Sequence, residues 1–159
     1  MTFEEIVSIT PYSWTSILSA IVCGLIIGLE RQLRGKPVGI RTSSLIVLGT
    51  YIFIASSMAV ATSVSDPSRI IGQVVTGVGF LGAGVMMAKG GMVVGVTSAA
   101  AIWSLAALGV CIAAVDSFIA IKLSIVVVGI LYGVDLLEDY SSNFTRGAHR
   151  KLKKWRNNP

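Results

Sequence analysis

The run MVVGVTSAAAIWSLAALGVCIAAV, residues 92–115, holds no charged residue. About 20 apolar residues in a helix cross the roughly 30 Å hydrocarbon core of a bilayer. This run is long enough to do so, and it decides the fold class. Working outward from it, four further apolar runs appear, at about 14–29, 43–64, 70–88 and 117–137. The breaks between them are short and rich in turn formers: Arg34-Gly35-Lys36-Pro37, Ser65-Asp66-Pro67, Lys89-Gly90-Gly91 and Asp116. The pattern predicts an all-α integral membrane protein with a bundle of about five transmembrane helices. The first run ends in Glu30-Arg31 with no small-x-small cleavage site, so it reads as an uncleaved helix.

Composition agrees. The chain is 53% hydrophobic and only 13% charged, with a mean hydropathy of +0.79. A soluble domain carries about 25% charged residues. Seventeen glycines also suit a bundle in lipid, where small residues let helix backbones approach. Cys23 and Cys111 both lie inside apolar runs and read as small packing residues.

Charge sets the expected orientation. With five spans, the 30–42 loop, the 89–91 loop and the tail share one side. That side then holds eleven of the thirteen Lys and Arg residues. The positive-inside rule predicts the N-terminus out and the C-terminus in the cytoplasm. The organisation expected is an extracytoplasmic segment at 1–13, a transmembrane domain at 14–137 and a basic cytoplasmic tail at 138–159. In the tail, Leu152 and Trp155 among six basic residues predict an interfacial helix on anionic lipid, with no nucleic-acid role.

Residues that could carry chemistry are few. Asp66 and Pro67 fit the N-cap and first positions of the third helix. Arg69, Gln73, Thr76, Gly77 and Phe80 then recur at helical spacing, placing a guanidinium, an amide and a hydroxyl on one face. Polar groups at membrane depth usually face the bundle interior or a cavity, so this face is a candidate intramembrane site. Thr97, Ser98 and Trp103 complete its polar inventory. Glu30 and Arg41, at the inner ends of the first two helices, read either as interfacial anchors or as an ion pair between those helices. Gly24–Gly28 and Gly129–Gly133 have GxxxG spacing, as Gly95–Ala99 and Gly109–Ala113 have its small-residue equivalent. With Gly77, Gly79, Gly82 and Gly84 they are expected to pack helices. There is no phosphate loop, CxxC, HExxH or nucleophile elbow, and the single histidine, His149, lies in the tail. No enzyme activity, cofactor or metal is expected.

Four segments carry a resemblance. They are Gly24-Leu-Ile-Ile-Gly28-Leu-Glu30-Arg31-Gln32, Gly39-Ile-Arg41-Thr42, Asp66-Pro67-Ser-Arg69-Ile-Ile-Gly-Gln73-Val-Val-Thr-Gly77-Val-Gly79-Phe80-Leu-Gly82-Ala-Gly84, and Gly95-Val-Thr97-Ser98-Ala-Ala-Ala-Ile-Trp103. Together they resemble the MgtC/SapB family of bacterial inner-membrane proteins over roughly residues 15–135. The resemblance implies five transmembrane helices and roles in adaptation to low magnesium and in acid tolerance. For MgtC-like members it also implies survival inside macrophages. It further implies binding to other membrane proteins, the proton-translocating ATP synthase among them. MgtC-like members carry a soluble ACT-like C-terminal domain. A tail of about twenty residues stands there in this chain, so the expectation is a short member of SapB/YhiD type. Two functions follow as expectations: a non-catalytic regulator of partner membrane proteins, or a small transporter or channel that would have to oligomerise.

Overall fold

A computed structural model describes residues 7–61, 66–89 and 92–140. The expected tail helix around Leu152 and Trp155, its basic cluster and residues 1–6 lie outside the described residues. Five long helices follow in order: α1 (Trp14–Leu33), α2 (Ile40–Ala59), α3 (Pro67–Gly84), α4 (Val96–Ala114) and α5 (Ser117–Tyr140). Between α3 and α4 lie two short antiparallel strands, β1 (Met87–Lys89) and β2 (Met92–Val94), with Ala88 opposite Val93. The protein is an all-α membrane bundle with this one small hairpin.

Helices α1, α3 and α5 start where the sequence offers a side-chain cap. The Ser13 hydroxyl accepts from the Ser16 N–H at 3.1 Å and opens α1. Asp66 accepts from the Ser68 N–H at 2.9 Å, with Pro67 in the first turn of α3. Asp116 accepts from the N–H groups of Phe118 and Ile119 at 2.8 and 2.9 Å and turns the chain into α5. Such side chains satisfy amide donors that a helix start leaves open. Gly95 leads from the hairpin into α4 at φ +93°, a left-handed conformation that favours glycine. A side chain there would also collide with the Val85 carbonyl oxygen.

Helices α1, α2, α4 and α5 are each long and apolar enough to cross a membrane. Among the described residues α3, the third of the expected runs, falls short of that standard of length and hydropathy. The reason is in its sequence. Arg69, Gln73 and five glycines dilute its apolar content, and the helix stops at Gly84 before reaching the apolar Val85-Met86-Met87. Those residues lead into the hairpin instead.

The core lies between α1, α2 and α4. Ala20, Cys23 and Ile27 of α1 meet Val47 and Tyr51 of α2 and Ile102 and Leu105 of α4, all buried. Helix α4, the uncharged run, is the hub and touches every other helix. Small residues set how closely these helices approach. A methyl group added to Gly28 would lie 2.5 Å from the Ile40 Cα, and one at Gly24 would overlap the Ser44 backbone. One at Gly109 would lie 2.6 Å from the Val47 carbonyl oxygen. In lipid, where burial of apolar area drives little, such close packing holds helices together.

Opposite ends of the bundle are tied differently. At one end Tyr12 stacks edge-on against Tyr51, with ring centroids 6.3 Å apart, and its hydroxyl bonds the Ser56 hydroxyl at 2.8 Å. The Ser13 N–H donates to the Tyr51 hydroxyl at 3.1 Å. At the other end sit charges, described next.

Candidate functional site

Glu30 and Arg31 lie near the C-terminal end of α1, and both are buried, with exposures of 8% and 2%. The Glu30 carboxylate accepts from Arg31 Nε at 2.5 Å and from Arg31 Nη2 at 2.7 Å. It also pairs with Arg34 Nε at 2.9 Å, one helical turn on. The Arg34 guanidinium lies 4.8 Å from the ring centre of Tyr132, which ties the end of α1 to α5. The expected Glu30–Arg41 pair is therefore corrected. The carboxylate is held by neighbours on its own helix, and Arg41 is exposed in the first turn of α2. A signal for Arg34 was present in the sequence, since residues four apart share a helix face.

The polar face of α3 does not point into the bundle. Arg69, Gln73, Thr76, Gly77 and Phe80 are all exposed, Phe80 to 77%. Thr76 donates its hydroxyl to the Gly72 carbonyl at 3.0 Å, within its own helix. The face that packs is another one, where Val78 is buried and a methyl group added to Gly82 would lie 3.6 Å from Ala99 of α4. Asp66, at the start of α3, has its carboxyl held below the usual carboxylate range, chiefly by its hydrogen bonds to Ser68 and then by Arg69.

The six candidate polar residues do not converge. Gln73 borders a groove between α2 and α3, whereas Trp103, 56% exposed, lines a small apolar cleft between α3 and α4. Thr97 is exposed and Ser98 is buried in the first turn of α4. The candidate packing glycines also divide. Gly24 and Gly28 abut the α2 backbone and Gly82 is in ordinary contact with α4. Gly77, Gly79, Gly84, Gly129 and Gly133 face open space among the described residues, so their expected packing within this bundle is corrected. Glycine spacing is the same in both sets, and it does not say which face of a helix turns inward.

The α2–α3 groove has a volume of about 840 Å³. It runs from Arg41 and Thr42 at one end to Val60 and Ile70 at the other, with apolar walls between.

The model of the MgtC family matches residues 17–140. The chain belongs to the MgtC family. The protein MgtC of Salmonella typhimurium is 45% identical over 107 residues, covering 67% of this chain and 45% of that protein. "Putative magnesium transporter YhiD" of Escherichia coli K12 is 50% identical over 103 residues, covering 60% of this chain and 47% of YhiD. A Haemophilus influenzae protein without assigned function is 36% identical over 152 residues, covering 90% of this chain and 61% of its own length. The chain spans about half the length of the curated relatives it matches. YhiD, taken above as a short member, is thus about twice as long as the segment it shares. No solved structure matches the chain.

All of α1 to α5 falls within or at the edge of the matched segment, and so do the Glu30 cluster and the α3 face.

Proposed function

We propose that this MgtC-family membrane protein is a non-catalytic regulator that supports adaptation to scarce magnesium or to acid by modulating a partner membrane protein. It would act in the bacterial inner membrane, with its N-terminus outside and its C-terminus in the cytoplasm. The observation that carries the reading is the uncovered face of α3. Arg69, Gln73, Thr76, Gly79 and Phe80 are all exposed on it. A face with small residues, an aromatic ring and polar groups suits close approach of another helix in lipid. The ATP synthase is the partner that the family resemblance implies. Orientation rests on Arg31, Arg34, Lys36 and Arg41, which cluster around the first inter-helix turn.

Ligand chemistry also favours regulation over Mg²⁺ conduction. Mg²⁺ gives up its water reluctantly and is bound through carboxylates. The buried carboxylate Glu30 is already engaged by two guanidiniums. Arg69 on the α3 face would repel a cation. The second reading, a small oligomeric transporter or channel, is favoured by the magnesium-transporter name of the Escherichia coli relative.

One experiment with two arms separates these readings. A photoactivatable phenylalanine analogue at position 80 should crosslink a second membrane protein in native membranes. Purified protein in liposomes should take up no more Mg²⁺ than empty vesicles. Saturable Mg²⁺ uptake would promote the transporter. Crosslinks to lipid alone would remove the α3 face as a docking site.

A further inference from the structure

The groove between α2 and α3 has two unlike parts. Its body is mostly apolar, walled by Leu45, Phe53, Val78 and Leu81, with Gly49 and Gly77 leaving open space halfway and the uncharged polar side chains of Thr50, Gln73, Ser56 and Ser57 further from the head. Its head is cationic. Arg41 and Thr42 line it there, both exposed. Among the described residues no carboxylate pairs with Arg41, because Glu30 is taken by Arg31 and Arg34. The α2 N-terminus adds to this charge. Its cap, Gly39, offers no side-chain bond, and the first turn carries no acidic residue. A helix start of that kind has a partial positive charge without a counter-ion.

A cationic head on an apolar slot between membrane helices matches one class of ligand. We infer that the groove binds a single anionic phospholipid, its phosphate on Arg41 and Thr42 and one acyl chain along α2 and α3. The dimensions agree. From Arg41 to Phe53 the helix rises about 18 Å, close to the roughly 15 Å depth of one leaflet's hydrocarbon. Arginine suits phosphate because its planar fork donates two parallel hydrogen bonds. The inference rests on the membrane setting of the bundle; Gln73 borders both the groove and the face offered to a partner, and the test below uses purified protein, so its outcome does not turn on a partner.

Native mass spectrometry of the purified protein in detergent, with equal amounts of phosphatidylglycerol and phosphatidylcholine, tests it. The parent should retain phosphatidylglycerol at least fivefold over phosphatidylcholine. Arg41→Ala should bring that preference within twofold. Gly77→Leu, which fills the slot while leaving Arg41 in place, should reduce retained phosphatidylglycerol at least fivefold. Arg41→Ala removes an exposed head and Gly77→Leu adds atoms to open space, so both should leave the bundle folded. Lys122→Ala removes an exposed cation of α5 and should change nothing. Equal retention of the two lipids by the parent would overturn the inference. So would a parent-like preference in either groove variant. If the parent is a dimer that Gly77→Leu dissociates while the lipid preference persists, the groove belongs to a second copy and the inference fails.

Discussion

Gly24 and Gly79 are both helical glycines in Gly-rich apolar segments, yet their surroundings are opposite. Gly24 sits in the seam between α1 and α2, against the backbone of Ser44, whereas Gly79 on α3 has nothing within 4 Å. The contrast extends to whole helices. Helices α1, α2 and α4 interlock through Gly24, Gly28 and Gly109 around a buried core. Helix α3 leans on α4 with one face and leaves the rest uncovered, and most of α5 faces outward as well. Small residues at helical spacing therefore mark two different things: a joint already made, and a surface left open.

The sharpest way to break that distinction is to enlarge the joint. Gly24→Leu and Gly109→Leu should prevent the bundle from assembling. Overpacking commonly costs about 1–3 kcal/mol and more when nothing can move, and here the obstacle is backbone. The expected readout is loss of the monodisperse folded fraction in detergent. Normal yield and melting would show that the seam is not tight.

A second test removes charge from the same end of the seam. Glu30→Ala leaves Arg31 buried without its counter-ion. Removing one partner of a buried pair costs about 3–5 kcal/mol. The variant should unfold at clearly lower temperature or denaturant, and Arg41→Ala should not. Equal losses for the two would restore a Glu30–Arg41 bond between helices.

The smallest effect is expected on the open side. Gly79→Leu and Gly129→Leu should change the stability of the isolated protein by no more than about 0.5 kcal/mol, the usual range for surface substitutions. If Gly79→Leu is as damaging as Gly24→Leu, α3 is a packed helix and the two regions are alike. If it is stable in detergent but inactive in cells, the open face is where a partner docks.

Much of this architecture was legible because the bilayer imposes simple lengths. The uncharged run at 92–115 contains α4, and Asp66-Pro67 marks the start of α3 by a cap with a clear mechanism. The hairpin was not legible. Met86, Met87, Val93 and Val94 are apolar, so they read as continuations of the flanking helices. The partner of Glu30 was not legible either: the sequence left anchor and ion pair with Arg41 open, while the nearer guanidiniums of Arg31 and Arg34 lie on the same helix. The direction of the α3 polar face was hidden for a different reason. Polar groups at membrane depth usually face the interior of the complete assembly, and the sequence of one chain does not say whether its own helices or something else covers them.

The Glu30–Arg31 bond joins adjacent residues of one helix. It needs no second helix to form, so it is available as soon as α1 exists. In a two-stage pathway, helices first become stable individually and then associate. Helix α1 then reaches the second stage with its carboxylate already matched, and the later helices close over a neutralised pair. The charges at this end are settled in the order of synthesis, before the bundle has a shape.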